Sequence, residues 1–193
     1  MARSVTVMRR AGAEEKTFDS LYSEFELHNK IKNLSESTII FYQWNLKPFH
    51  RFLEENGINY IREIQRETID NFILRLRNIY ENATTINTYL RATRAFLYFA
   101  MDKNYIHRFA INLVKQERKI KDTYSEADIQ KLIAKPNLKT CPFSEYRNWV
   151  MVQYLLDTGN RLNTVINIKV KDVNLVHGMV TLTTTKNRKQ MQI

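Results

Sequence analysis

The sequence predicts a mainly α protein: a four-helix domain, then a smaller, incomplete α+β domain with a β-hairpin. Three observations predict it. Glycine and proline are scarce, four and three in 193 residues. That suits long helices and argues against a turn-rich β-sandwich or a disordered linker. Four segments before residue 103 carry apolar side chains at helical spacing. After Asp172 the period changes to two, as in a strand.

The elements follow in order. Residues 1–16 mix charges and small residues without a period and read as a flexible N-terminal arm. Thr17 or Asp19 caps a first helix carrying Phe18, Leu21, Tyr22, Phe25, Leu27 and Ile31. Ser35 or Ser37 starts a second, with Ile39, Ile40, Trp44, Leu46, Phe49, Phe52 and Leu53, stopped at Gly57. Pro48 inside that pattern is expected to kink the helix or shift its start. A third helix fits Thr68 to Asn78. A fourth opens at Thr84 or Thr85 and runs to about Asp102. Together they give a helical domain over 17–103.

Residues 104–123 are rich in Lys and Arg and read as a basic linker. A second domain, 124–193, opens with the capping-box pair Ser125 and Asp128. A short helix closes near Pro136. A longer one spans about Ser144 to Asp157 and ends at Gly159. Another short helix covers Asn163 to Lys169. Then comes a hairpin: Val173 to Leu175, a turn at Val176-His177-Gly178, and Met179 to Thr184. Arg188 to Ile193 read as the start of a third strand.

Composition narrows the function. Thirty Lys and Arg against twenty Asp and Glu leave a net charge of +10. Such a surplus favours a polyanionic partner, nucleic acid first and an anionic membrane surface second, although solubility charge also accounts for it. One cysteine, Cys141, excludes an internal disulfide and a Cys-rich zinc site. The histidines are scattered and the glycines isolated, so no metal site, P-loop or dinucleotide fingerprint is visible. Neither a cofactor nor a bound nucleotide is expected. No long apolar run suggests a signal peptide or membrane span, and the expected compartment is the cytoplasm.

Three places can carry chemistry. On the fourth helix, Asn87, Arg91, Arg94 and Tyr98 share a face, with Thr84 and Thr88 beside it. Guanidinium, amide and hydroxyl groups there can grip phosphates and touch base edges; a solvated face is the equal alternative. Next, the run Asp157-Thr158-Gly159-Asn160-Arg161 sets an arginine two residues past a helix-ending glycine, where it can stabilise charge on a phosphoryl group. Last, Lys186 and Arg188 follow the hairpin. Taken singly, the last two read first as surface charge.

The order of these pieces changes the odds. Thr158-Gly159-Asn160-Arg161, then Ile168-Lys169-Val170-Lys171-Asp172-Val173, Gly178 and Thr185-Lys186, resemble the tyrosine recombinase family, also called phage integrases. Thr84 to Arg91 with Arg94-Ala95-Phe96 resemble the last helix of that family's SAM-like core-binding domain. The resemblance covers roughly Thr17 to Ile193. It implies two domains that clamp double-stranded DNA, and metal-independent strand exchange through a 3′-phosphotyrosyl link that integrates or excises mobile DNA. By resemblance Arg161 is the first catalytic arginine, Lys186 protonates the leaving 5′-oxygen, and Thr84, Asn87, Thr88, Arg91, Arg94 and Arg188 contact DNA. Other recombinase protomers are implied as partners, with no membrane or nucleotide. Thr164 stands where the family carries an acidic residue. The His-x-x-Arg motif and the nucleophilic tyrosine are expected beyond Ile193, so this chain is expected to bind DNA without cleaving it alone. The rival readings are a non-catalytic DNA-binding module that competes for recombination sites, and a non-functional remnant.

Overall fold

A computed structural model describes residues 16–117, 122–183 and 190–193. The chain divides into two units, Met1–Arg118 and Lys119–Ile193.

The first unit is built on four helices: α1 (Phe18–Ile31), α2 (Glu36–Glu55), α3 (Arg66–Ile79) and α4 (Ala83–Asp102). Local chemistry sets their starts. Thr17 Oγ1 accepts from Ser20 N, and Ser35 Oγ accepts from Thr38 N, each at 3.3 Å. α4 begins one residue earlier than expected because Asn82 is the cap; its Oδ1 accepts from Thr84 N at 2.8 Å. α2 runs through Pro48 without a break. A 3-10 turn at Ile61–Glu63, not anticipated, drops Ile61 and nearby Ile64 into the core.

α4 lies at the centre. Half of its twenty residues are buried, among them Leu90, Phe96, Leu97 and Ala100 at full burial. Phe96 packs on Phe18 and Phe25, with ring centroids 4.9 and 5.6 Å away. Phe49 of α2 meets Phe72 of α3 edge-on at 5.0 Å. Several residues of the predicted apolar stripes face outward instead: Leu27 and Ile31 on α1, and Ile40 and Trp44 on α2.

The segment expected to begin the linker is, up to residue 117, part of this unit. Ile106 and Ile111 are buried in its core, and Tyr105, Phe109, Leu113 and Val114 pack against it. The physical reason is that this stretch carries more apolar than basic side chains, and they have a surface of α4 to cover.

The second unit opens with α5 (Glu126–Ile133). Its capping box is formed: Asp128 N donates to Ser125 Oγ at 3.2 Å, and Ser125 N to Asp128 Oδ2 at 3.3 Å. α6 (Phe143–Thr158) ends at Gly159, whose φ of 62° is the left-handed C-cap conformation. α7 is shorter than expected, Leu162–Val165, and a 3-10 turn follows at Val170–Asp172. Strands β1 (Val173–Asn174), β2 (Met179–Leu182) and β3 (Met191–Gln192) form an antiparallel sheet in the order β1-β2-β3. Val173 pairs with Val180, and Leu182 with Met191. The hairpin turn is held by Asn174 Oδ1, which accepts from Val176 N and His177 N at 3.1 Å. No helix among the described residues is long and apolar enough to cross a membrane.

Candidate nucleic-acid interface

α4 is wrapped on most sides, so only a narrow arc of it meets solvent. Thr84 and Arg91 are exposed on that arc, with Thr88 and Arg94 half-buried. Thr88 Oγ1 donates to Thr84 O at 2.9 Å, which ties the first turn together. No acidic residue occupies that turn. Two guanidiniums one turn apart thus stand beside two hydroxyls, a set suited to phosphate oxygens.

Asn87 departs from the expected face. It is only 2 % exposed, and its amide is bonded to Val114 and Gln116. A buried amide with its partners satisfied cannot reach a base edge, so Asn87 is removed from the DNA-contacting set. Tyr98 is likewise engaged, its hydroxyl accepting from Ile111 N at 3.4 Å. The segment 105–116 covers this side of the helix. Nothing in the local sequence signals it, because the partners lie 27 and 13 residues apart.

In the second unit, Arg161 is exposed at the junction of α6 and α7, immediately after the Gly159 turn. Its backbone is fixed as the α7 cap: Arg161 O accepts from Thr164 N at 2.8 Å and from Val165 N at 3.2 Å. Thr164 is itself 8 % exposed. Among the described residues no carboxylate forms an ion pair with Arg161. Asn160 Nδ2 in the turn before it, and Tyr154 OH within α6, are buried without a partner among the described residues. Lys186 and Arg188 lie outside the described residues. No cluster of three His, Cys, Asp or Glu that could hold a metal occurs among the described residues.

One further cationic feature escaped the sequence reading. Trp44, expected in the core, is 62 % exposed, and Lys47 Nζ sits 3.9 Å from its ring centroid. The i, i+3 spacing of the pair was the available signal.

Comparison with known proteins fits this geometry. Residues 26–104 match the family "phage integrase, N-terminal SAM-like domain". The tyrosine recombinase XerD of Staphylococcus saprophyticus is 31 % identical over 152 residues, covering 77 % of this chain and 51 % of XerD. The chain spans about half the length of the curated relatives it matches. A lambda integrase dimer bound to a COC′ core site superimposes with a TM-score of 0.70 at 14 % identity, over 94 % of this chain and 49 % of the integrase. The XerH site-specific recombinase bound to a palindromic difH substrate gives 0.63 at 18 % identity, over 89 % and 52 %. At such identities the structural likeness speaks for the fold alone.

Proposed function

We propose that this chain, which belongs to the tyrosine recombinase family, is the DNA-binding and first catalytic portion of a cytoplasmic site-specific recombinase. The observation that carries the reading is a conjunction in one chain. A helical unit matched by the phage-integrase family leaves Arg91 and Arg94 on the open arc of its central helix. A second unit sets Arg161 on a glycine-terminated turn.

In this reading Thr84, Thr88, Arg91 and Arg94 grip the phosphate backbone of a duplex. Arg161 neutralises the non-bridging oxygens of one phosphate, a task for a group that stays charged and forks onto two oxygens. Lys186 supplies the proton to the leaving 5′-oxygen, and Arg188 adds a backbone contact. The chain then binds double-stranded DNA, alone or beside other protomers. The second reading, a DNA-binding module that competes for recombination sites, is favoured by one feature. Thr164, and not a carboxylate, stands behind Arg161.

The test is binding to a fluorescent duplex across a salt series. Each phosphate contact contributes about 0.9 to the slope of log K against log salt. Arg91→Ala with Arg94→Ala is expected to flatten that slope by about 1.8. An unchanged slope would show that α4 faces elsewhere.

A further inference from the structure

We infer that Asn87 is a positioning residue: its side chain clips the connector between the two units onto α4 and fixes where that connector departs. Asn87 Oδ1 accepts from Val114 N at 2.8 Å, and Asn87 Nδ2 donates to Val114 O at 2.8 Å. Nδ2 also donates to Gln116 Oε1 at 3.3 Å. An asparagine amide has two N–H donors and one carbonyl oxygen, so the connector engages every polar group this side chain offers. The pair of bonds to Val114 is what a neighbouring strand would give that residue. Because the site is buried, loss of either partner strands a polar group away from water.

The chain beyond Asp102 doubles back along α4. Ile111 lies beside Tyr98, and Val114 lies beside Asn87, about three turns nearer the helix N-terminus. The connector therefore leaves the helical unit next to the N-terminal turns of α4 that carry Thr84, Thr88 and Arg91. Without the clip it would leave from beside Tyr98, about 16 Å further along the axis. The tether of the Arg161-bearing unit thus starts beside the N-terminal half of the helix, one turn from Arg91. Its use in placing Arg161 on DNA rests on the function proposed above; the clip itself does not. Release of residues 112–116 would lengthen the span to the Ser125 cap by about half. The effective concentration of the second unit at DNA held by α4 would then fall about twofold.

The experiment needs no DNA. Spin labels are placed on Cys141, the single cysteine, and on a cysteine introduced at exposed Asn78 in α3. Pulsed dipolar spectroscopy then reads the distance distribution between the units in the whole chain. Asn87→Ala is expected to broaden it. Val114→Pro removes the connector's N–H, leaves α4 intact, and is expected to broaden it as well, which keeps the test open if Asn87→Ala does not fold. An unchanged width in folded Val114→Pro overturns the inference, and so does a lowered melting temperature in Asn87→Ala with no change in width. With a random-sequence duplex, Val114→Pro is expected to weaken binding about twofold, and the loss is expected to vanish in an Arg161→Ala background. Persistence of the loss there overturns the placing role. Absence of any DNA binding would instead defeat the function proposed above and leave the distance measurement standing.

Discussion

Lys16 shows how a single side chain can join distant stretches of chain. Its backbone oxygen accepts from Ile61 N at 2.8 Å, its ammonium pairs with Glu24, and the same ammonium lies 5.0 Å from the Tyr105 ring centroid. Tyr105 OH donates to the other Glu24 oxygen at 3.1 Å. The hydrogen bond from Lys16 holds the Glu24 carboxyl below the usual carboxylate range, and the bond to Glu24 lifts Lys16 above the ordinary lysine value. The two signs define a window. A depressed carboxylate stabilises the fold above its unfolded pKa of about 4.3 and loses that contribution as pH falls through its folded value. A raised lysine stabilises below about 10.4 and loses its share as pH rises through its folded value. Glu24 is 37 % exposed, so solvent screening limits the pair to about 0.5–1 kcal/mol. Glu24→Gln is expected to lower the melting temperature of the helical unit by about 2–6 °C at neutral pH. The gap to wild type should close below the carboxylate range. A gap that stays constant through acid would show that the pair contributes nothing. Spacing along the chain could not reveal this trio, since Tyr105 is 81 residues from Glu24.

At the scale of an element, α4 has two jobs that compete for the same surface. Its buried sides organise the core, and only the remaining arc can meet a ligand. Phe96, fully buried, tilted against Phe18 and edge-on to Phe25, belongs to the first job. Phe96→Ala is expected to cost about 3–5 kcal/mol, read as early unfolding of the helical unit in denaturant. A cost near zero would mean that α1 and α4 are not held together by these rings. In the second unit, Gly159 adopts φ 62° with nothing within 4 Å of an added Cβ. Gly159→Ala therefore meets no clash and is expected to cost about 1 kcal/mol of backbone strain. That loss should appear as faster amide exchange at the end of α6. Helix starts were legible because caps are local: Thr17, Ser35 and Ser125 act within three residues of themselves. The stretch 105–114 was not legible. Its buried residues, Ile106 and Ile111, have no period, and its basic neighbours resemble those of a solvated linker. The same blindness produced the error at Asn87. Spacing placed it on the arginine face, while the cover that buries it comes from later in the chain.

The whole molecule joins two units of very different interior. One cluster of buried apolar side chains, drawn from all four helices and the returning segment, holds the first. In the second, Leu182 is the single apolar residue that reaches full burial among the described residues. α5 and α6 contribute no buried residue at all. The sheet has one apolar face, with Val173, Val180, Leu182, Met191 and Ile193 on the same side by register. Three of those, Val173, Met191 and Ile193, remain well exposed, as do Phe143 at 78 % and Val170 at 93 %. Burial of apolar area is the main favourable term in folding, so the second unit has little to set against chain entropy. Native-state hydrogen exchange on the whole chain is expected to separate the two. Amides of α4 should be protected at least about a hundredfold more than those of α6, a gap of about 3 kcal/mol in opening free energy. The apolar faces of α6 and the sheet should also bind a hydrophobic dye. Equal protection in α4 and α6, with no dye bound, would show that capping and the hairpin alone hold the second unit. Arg161 would then stand on a rigid turn without any added cover. Unequal protection would mean that the turn carrying Arg161 belongs to the less stable of the two units.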